Sequence, residues 1–440
     1  AEIMQTLTTM QRHELRAGIS GVVTEKDRRA TEAVKPGERV LKIVDMEHLQ
    51  AEGLVEVQKA RHLEIDMPVL IEFARPVDPV LTLSGHLQKI NAVAVTKGAI
   101  PSIVSASEDG KVRVTPLRLG NKNKKGEQRW LQQNQVWALP HYMPVRSVAC
   151  APKGADHNLC LTGTSDGVAR LWDLDKLDKS KVIQLSERHN GAINSTAFSP
   201  DGKLCCTGGE DRSIRIFATA NGEQLHHLEG AHRGAVSSVR FVSNEQLLSV
   251  GYDNQMILWS LAPKKKPKMI RIFRNRAGKV DNLGVHPDGK HVLLDKDNEL
   301  RIQTLADNNT ASILKSDSQG VDFSTLALFS PDGETILTGS TADEHIQLWR
   351  NPLHKGSTRR PAEIQRLIMK RDRMTCAAFA PEADIVVTGT EKSQVLVWRL
   401  PKPAEVKEAE PNAKITYIDG KVDASNRRLI HASFDKGKKP

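Results

Sequence analysis

The sequence predicts an all-β protein built from repeated antiparallel units, and three observations carry that prediction. Short runs of alternating apolar and polar residues recur along most of the chain, separated by Gly, Pro and Asp. A small hydroxyl residue, an Asp and an aromatic residue return together at a fixed spacing, with a period of about 40 residues. A His precedes the first strand of several units by a constant interval.

Composition sets the outer limits of what the chain can be. Its 440 residues carry a formal net charge of +10, with 39% hydrophobic and 26% charged residues. That length suits two to four domains or one large repeat array. The apolar content argues against wholesale disorder, and no run of about 18 apolar residues predicts a membrane-spanning helix.

The repeat is clearest in three segments that align without gaps. In each, Asp follows a small hydroxyl residue by four positions and precedes an aromatic residue by six. The three sets are Thr162/Asp166/Trp172, Thr207/Asp211/Phe217 and Ser249/Asp253/Trp259. Less complete copies extend the series to seven units, near 78–117, 118–174, 178–219, 223–261, 266–305, 310–352 and 362–400.

A second landmark lies upstream of the strands. Four histidines each precede an aliphatic residue by four positions: His86, His141, His189 and His232. Three Pro-Asp-Gly turns also recur, at 199–202, 286–289 and 330–333. Because Pro presets φ and Gly accepts positive φ, each of them predicts a tight turn between two strands.

This pattern resembles the WD40 family over about residues 78–400, although the Trp-Asp pair that names the family occurs once, at Trp172-Asp173. The resemblance implies a seven-bladed β-propeller. One sheet cannot bury both of its faces alone, whereas blades arranged in a ring cover each other. The resemblance also implies that the strand at 80–83 completes the last blade, beside the strand ending at Trp398.

In WD40 proteins a His, a Ser or Thr, an Asp and a Trp form a buried hydrogen-bonded chain. The resemblance assigns that structural role to two sets: His232, Ser249, Asp253 and Trp259, and His141, Thr162, Asp166 and Trp172. We expect no catalytic residue, metal ligand or cofactor, and hence no enzyme. The sequence has no Gly-x-Ser-x-Gly, His-Glu-x-x-His or P-loop motif, and its five cysteines lack Cys-x-x-Cys spacing.

Partners of WD40 proteins usually dock on the face that carries the loops before the innermost strands. In those loops the residue types most enriched at protein interfaces are Tyr142, Met143 and Arg233. We therefore predict these three side chains as partner contacts.

The flanks lack the repeat and resemble a different family. Residues 18–24 and 34–45 resemble the second half of a lipoyl-like sandwich, while 49–73 and 414–435 resemble barrel strands of HlyD-type membrane fusion proteins, the periplasmic adaptors. Residues 1–12 would end that family's helical hairpin. The domains predicted are a HlyD-like flank at 1–77, the propeller at 78–402, a linker at 403–412 and returning, incomplete barrel strands at 413–440.

Together the two resemblances imply a non-catalytic protein-interaction scaffold on an adaptor of the bacterial envelope. They imply a membrane-associated, periplasmic location, an inner-membrane transporter or other envelope proteins as partners, and an oligomer formed through the adaptor module. The alternative is a cytoplasmic WD40 scaffold that recruits RNA or a nuclear or cytosolic complex through basic loops. Those loops lie at 122–125, 264–268, 359–360 and 436–439. Nucleic acid is the less favoured ligand, because no aromatic residues are interleaved with the basic runs.

Overall fold

The computed structural model is built almost entirely of β-strands, with one 3-10 helix, Leu174–Lys179, in the part of the chain that it describes. It describes residues 22–26, 41–44, 50–56, 68–69, 76–77, 79–97, 101–119, 130–133, 136–152, 155, 157–179, 182–262, 265–274, 284–296, 299–306, 310–314, 326–339, 345–354, 363–369, 372–382, 385–400, 413–418 and 427–434. The chain divides into two compact units. One is Ala74–Lys402, and the other combines Ala1–Phe73 with Pro403–Pro440.

The described strands alternate with short turns along the whole chain. The first half contains β1 (Val22–Lys26), β2 (Leu41–Val44), β3 (Gln50–Glu56), β4 (Pro68–Val69), β5 (Pro76–Val77), β6 (Leu81–Leu83), β7 (Ile90–Val95), β8 (Ser102–Ser107), β9 (Lys111–Leu119), β10 (Trp130–Gln132), β11 (Trp137–Pro140), β12 (Val145–Cys150), β13 (Leu159–Thr164), β14 (Ala169–Asp173), β15 (Val182–Gln184), β16 (Ile193–Phe198), β17 (Leu204–Gly209), β18 (Ile214–Ala218) and β19 (Gln224–Leu228). The second half contains β20 (Val236–Ser243), β21 (Gln246–Gly251), β22 (Gln255–Ser260), β23 (Lys268–Arg274), β24 (His291–Lys296), β25 (Glu299–Thr304), β26 (Thr310–Leu314), β27 (Leu326–Phe329), β28 (Thr335–Gly339), β29 (His345–Arg350), β30 (Glu363–Ile368), β31 (Met374–Phe379), β32 (Ile385–Thr390), β33 (Val395–Arg399), β34 (Ala413–Ile418) and β35 (Arg427–Phe434).

In the larger unit these strands form successive sheets, which we number in chain order. Six sheets have four or five strands: sheet 1 (β7–β8–β9, with β10 and β11 both on β9), sheet 2 (β12–β15), sheet 3 (β16–β19), sheet 4 (β20–β23), sheet 6 (β27–β30 with β5) and sheet 7 (β31–β33 with β6). Sheet 5 (β24–β26) has three strands. All pairings are antiparallel except that of β5 with β30.

The expectation of seven complete blades is therefore corrected to six blades of four or more strands and one smaller sheet. Ahead of β24, the described residues contribute an isolated bridge between Val285 and Val292 rather than a full inner strand. The sequence of this unit also departs from the repeat. It carries Gln303 where its neighbours carry a buried aromatic anchor, and it lacks the upstream His of the units before it.

The propeller core lies between neighbouring sheets. The second strand of each complete sheet is covered on both faces, so β21 reads as a nearly continuous apolar run and five of its six residues are buried. Ile216 of sheet 3 and Val239, Leu247 and Trp259 of sheet 4 belong to one such core cluster. Each fully buried aliphatic side chain there contributes about 1.5–3 kcal/mol to the free energy of folding.

The ring closes where the sequence predicted that it would. Strand β6 pairs antiparallel with β33, with Leu83 opposite Val395 and Leu81 opposite Val397. A second link joins the innermost strands at the same seam, since Thr375 Oγ1 donates to the Ile90 carbonyl at 2.5 Å. The prediction for the strand at 80–83 is confirmed.

In the smaller unit, strands from both ends of the chain share one four-stranded sheet of order β3–β35–β34–β4. Ala413 of β34 lies opposite Val69 of β4, and Leu54 of β3 lies opposite Leu429 of β35. Strands β1 and β2 form a separate two-stranded sheet, which does not support the predicted half of a lipoyl-like sandwich. The predicted hairpin end at 1–12 and the linker at 403–412 lie outside the described residues.

The five cysteines are all free thiols, and four of them are buried. Adjacent Cys205 and Cys206 belong to different core clusters, because successive residues of a strand point to opposite faces. Burial raises the pKa of Cys205 and of Cys376 to about 12, which keeps both thiols protonated and unreactive. They pack as small apolar residues. Within the described residues, no helix combines the length and apolar character needed to cross a bilayer.

Candidate protein-interaction site

A buried hydrogen-bonded chain anchors the loop that enters sheet 4. His232 Nδ1 lies 3.0 Å from Asp253 Oδ1, and His232 Nε2 lies 2.8 Å from Ser249 Oγ. Trp259 Nε1 donates to the same Ser249 oxygen at 2.9 Å. With a neutral ring protonated at Nδ1, each bond runs in one direction: Trp N–H to Ser, Ser O–H to His, and His N–H to Asp. The structure thus brings together all four residues of the first predicted set.

A glycine makes this contact possible. A Cβ added at Gly251 would lie 2.6 Å from His232 Nδ1, so a larger residue would push the ring away. Gly209 holds the equivalent place in sheet 3, where a Cβ would lie 2.4 Å from His189 Nδ1. These glycines are required by close approach rather than by backbone conformation.

The second predicted set is only partly assembled. His141 Nε2 lies 2.9 Å from Thr162 Oγ1, to which Trp172 Nε1 donates at 3.1 Å. Asp166 stands outside this chain, because His141 Nδ1 donates instead to the Leu139 carbonyl at 3.2 Å. Thr164 occupies the position that Gly251 holds in sheet 4, and its hydroxyl donates to Asp166. The predicted contact between His141 and Asp166 is therefore wrong.

Two further chains form in units without a Trp. In sheet 1, His86 contacts Asp109 at 3.0 Å and Ser105 at 2.9 Å. In sheet 3, His189 contacts Asp211 at 2.9 Å and Thr207 at 2.7 Å. Sequence reasoning recorded these residues as repeat landmarks but did not assign them complete chains, because Thr115 and Phe217 stand where Trp is expected. The His–Asp interval was the signal that would have identified them.

Burial and hydrogen bonding together decide the protonation of these groups. Burial lowers the pKa of His141 to about 4, and it lowers the pKa of His232 although Asp253 acts in the opposite direction. Burial also opposes ionisation of Asp253. Hydrogen bonds from the Arg233 N–H, His232 and the Gln255 N–H outweigh that effect and hold the pKa of Asp253 below its usual range. At neutral pH His141 and His232 are neutral and Asp253 is ionised.

This arrangement predicts acid destabilisation that begins well above the titration of ordinary carboxylates. The unfolded chain binds a proton at His141 below its unfolded pKa of about 6.5, whereas the folded chain resists it down to about 4. The free energy of unfolding should therefore fall by up to about 3 kcal/mol for this group as the pH drops through that window. Urea denaturation at pH 7.5, 5.5 and 4.5 measures it. The variant His141→Gln should be less stable at pH 7.5 but show a flatter pH dependence, and an unchanged slope would contradict the assignment.

Each complete chain also fixes the residue that follows its His. The Arg233 N–H donates to Asp253 Oδ2 at 2.8 Å, the Leu87 N–H to Asp109 Oδ2 at 3.0 Å and the Asn190 N–H to Asp211 Oδ2 at 3.0 Å. A buried carboxylate therefore holds an exposed loop in one conformation. Preorganised loops of this kind bind partners with a smaller loss of conformational entropy.

The face that carries these loops exposes several large apolar side chains. The exposed fraction is 95% for Tyr142, 79% for Leu87, and 47% for both Met143 and Tyr252. Arg233, the third predicted contact, is exposed as well. Leu87 and Tyr252 were not among the predicted contacts. Leu87 directly follows His86, just as Tyr142 directly follows His141. This shared position in the repeat was the sequence signal that could have identified Leu87 as a contact.

A polar channel opens among the innermost strands at this face. Its cavity of about 420 Å³ is lined by Lys89, Asn91, Glu108, Arg146, Arg240 and Tyr252, among others. Asn91 Nδ2 bridges two sheets by donating to Glu108 Oε2 at 2.7 Å and to the Val145 carbonyl at 3.0 Å. Arg146 forms an ion pair with Glu210 of the next sheet, 2.9 Å apart. These bonds stiffen the platform around the loops.

Successive four-stranded sheets, an outer strand that closes the ring and His–Ser/Thr–Asp chains define a propeller of the WD40 type. Comparison with known families agrees. Five segments match the model described as "WD domain, G-beta repeat", at residues 77–115, 133–173, 180–217, 222–260 and 310–350. The chain therefore contains WD40 repeats and has a WD40 β-propeller fold.

Individual relatives are distant. A zebrafish (Danio rerio) "p21-activated protein kinase-interacting protein 1-like" is 28% identical over 56% of this chain and 62% of its own length. A tobacco (Nicotiana tabacum) "guanine nucleotide-binding protein subunit beta" is 30% identical over 34% of this chain and 40% of its own. This chain thus spans less than two thirds of either relative. A chicken (Gallus gallus) "serine-threonine kinase receptor-associated protein" is 20% identical, with 72% and 82% covered.

Among solved structures, the WD40 propeller domain of Doa1 superimposes with a TM-score of 0.57. The match covers 75% of this chain and 98% of that one at 18% identity. At this identity the likeness concerns the fold alone.

Proposed function

We propose that this chain is a non-catalytic protein-interaction scaffold whose partner docks on the face bearing Leu87, Tyr142, Met143, Arg233 and Tyr252. The observation that carries the proposal is the display of large exposed apolar side chains on this face. Buried carboxylates also fix two of its loops, at Leu87 and at Arg233. Tyr, Met and Arg are enriched at protein interfaces, and Tyr and Arg also dominate their hot spots. The relatives named as a kinase-interacting protein and as a subunit of a guanine nucleotide-binding protein support a scaffold of this class.

The experiment compares two pairs of exposed apolar residues on the same molecule. Wild-type chain, a Tyr142→Ser/Met143→Ser variant and a Leu225→Ser/Ile270→Ser variant are used to purify partners from cells that naturally express the protein. Leu225 and Ile270 are 44% and 49% exposed but lie on the outermost strands β19 and β23, away from the entry loops. We expect the first variant to bind the recovered partners at least about tenfold more weakly, and the second to bind them normally. Loss of the same partners by the second variant alone would refute the proposed face.

Catalysis in the channel is the competing class of function. Glu108 is the carboxylate among the described lining residues, and it already accepts a hydrogen bond from Asn91. A scaffold requires no turnover from this group, so Glu108→Gln should leave partner binding intact. An activity that disappears in Glu108→Gln would replace the scaffold proposal.

The scaffold has two candidate cellular settings. The relatives named above are eukaryotic WD40 proteins, none of them a membrane fusion protein, which supports the cytosolic or nuclear complex over the envelope adaptor. The specific observation in favour of the adaptor is the sheet that β3 and β4 share with β34 and β35, because the HlyD resemblance implies strands that reunite around an inserted propeller. Fractionation of the full-length gene product separates them: the adaptor would sediment with membranes and co-purify with a transporter.

Recruitment of RNA through basic loops can be tested separately. The runs at 122–125, 359–360 and 436–439 lie outside the described residues, as does Lys264 of the fourth run. RNA binding would weaken by orders of magnitude between about 50 and 200 mM salt, because counterions are released from the phosphates. We expect partner binding through the apolar face to change far less over the same range.

A further inference from the structure

A turn at the start of sheet 5 places two imidazole rings against one carboxylate. His286 Nδ1 lies 3.0 Å from Asp288 Oδ1, and His291 Nδ1 lies 2.7 Å from Asp288 Oδ2. One ligand atom from each of the three residues lies within 4.8 Å of the others, and among the described residues this is the one such group of three. The three side chains are 15%, 32% and 19% exposed, so solvent reaches them.

Two sister turns show that the fold does not need these histidines. At 199–202 Ser199 Oγ donates to Asp201 at 2.6 Å, and at 330–333 Ser330 Oγ donates to Asp332 at 2.5 Å. A hydroxyl is therefore enough to orient the turn carboxylate. His286 replaces that serine, and His291 stands where the sister turns carry Leu204 and Thr335. In sheet 5 both positions therefore carry imidazole side chains, which can bind a metal ion.

The surroundings hold the rings in place. The His286 ring packs edge-on against Phe329 of sheet 6, with ring centroids 4.8 Å apart. The His286 N–H donates to the His291 carbonyl at 2.9 Å, which fixes the two residues opposite each other across the hairpin. The Lys290 N–H donates to Asp288 Oδ1 at 2.7 Å and orients the carboxylate. Metal sites use this kind of support around their ligands.

We propose that His286, Asp288 and His291 bind a divalent transition-metal ion of the Zn²⁺ class. Zinc binds imidazole nitrogen and carboxylate oxygen at about 2.0–2.2 Å, so adjacent ligand atoms must lie about 3 Å apart, as the two N–O pairs already do. Two nitrogen donors favour Zn²⁺ over Ca²⁺ or Mg²⁺, which prefer oxygen. The ion would replace the hydrogen bonds that Asp288 makes with the two rings, including the one that its own N–H donates to His286 Nδ1 at 3.2 Å, and water would complete its coordination.

This site would stabilise sheet 5. It lies beside the Val285–Val292 bridge, where the sheet has three strands, and His286 contacts Phe329 of the next sheet. An ion that binds the folded chain stabilises it in proportion to the logarithm of its concentration over its Kd. The sequence pattern predicted a structural turn here and no metal ligand, because the two histidines are not spaced as in a known zinc motif.

The test uses the sister turns as templates. Calorimetric titration with Zn²⁺ and the thermal midpoint with and without Zn²⁺ are measured for the untagged full chain and for His286→Ser and His291→Thr, which install the sister residues and should fold normally. His227→Ser, at an exposed histidine of β19, is the matched control. We expect one equivalent of Zn²⁺ that raises the midpoint in the wild type and in His227→Ser, with affinity at least about tenfold lower in the two turn variants. No uptake by the wild type, or equal affinity in the turn variants, would overturn the proposal, as would an equal response to Mg²⁺.

Discussion

Replacing Ser249 with Ala will lower the free energy of unfolding by about 3 kcal/mol. This is a larger loss than we expect from removing the equivalent hydroxyl of Ser105 in sheet 1. The Ser249 oxygen accepts from Trp259 Nε1 at 2.9 Å and lies 2.8 Å from His232 Nε2, and both partners are buried. Deleting it leaves two buried polar atoms without their bond, each costing about 1–3 kcal/mol. Urea denaturation monitored by Trp fluorescence measures the loss.

Ser105→Ala is the matched control for this variant. Ser105 contacts His86 Nε2 at 2.9 Å but serves no indole, because Thr115 stands at the Trp position of sheet 1. We expect it to cost roughly half as much. In a double-mutant cycle, Trp259→Phe should reduce the cost of Ser249→Ala, since it installs the residue type that Phe217 provides in sheet 3. Equal losses for Ser249→Ala and Ser105→Ala, with no coupling to Trp259, would show that the chain is not a unit.

The sequence predicted the parts of the fold that local pattern encodes. The order of strands, the closing strand and the set around His232 follow from residues that lie close together in the repeat or recur at fixed spacing. The missing contact at Asp166 depends on a competition: Thr164 adds a β-branched side chain where Gly251 leaves room for the ring, and its hydroxyl captures the carboxylate. Which of these hydrogen bonds forms depends on the packing around the ring and not on the spacing of the residues in the sequence.

The interaction face and the structure of sheet 5 were harder to predict from the sequence, because both depend on packing rather than on local spacing. Exposure separates Tyr142 and Leu87 from equally apolar residues inside the blades, and exposure is a property of the closed ring. The structure describes three strands in sheet 5, whereas its sequence keeps a Pro-Asp-Gly turn typical of a full blade. The His286 and His291 rings meet only because that turn folds them across one hairpin.

A substitution in the closing strand β6 should cause the second large loss of folding stability. Strand β6 has three residues, of which Leu83 is buried in the core cluster that joins sheets 7 and 1, while Thr82 beside it is exposed. Leu83→Asp places a charge in that cluster without a partner and should cost about 4 kcal/mol. The free energy of unfolding and hydrogen exchange in β6 and β33 are the measurements, with exchange expected to rise first in these two strands.

Thr82→Asp carries the same charge in the same strand and isolates the effect of burial. It should change the free energy of unfolding by less than about 0.5 kcal/mol, because its side chain faces solvent. If Leu83→Asp does not fold, Leu83→Ala gives a milder test, with an expected loss of about 2–3 kcal/mol. Because β6 reaches sheet 7 from the far end of the propeller sequence, a large loss at Leu83 means that this short strand contributes strongly to the closure of the ring. Equal effects at Leu83 and Thr82, or exchange that rises uniformly across all sheets, would mean that stability does not depend on this seam.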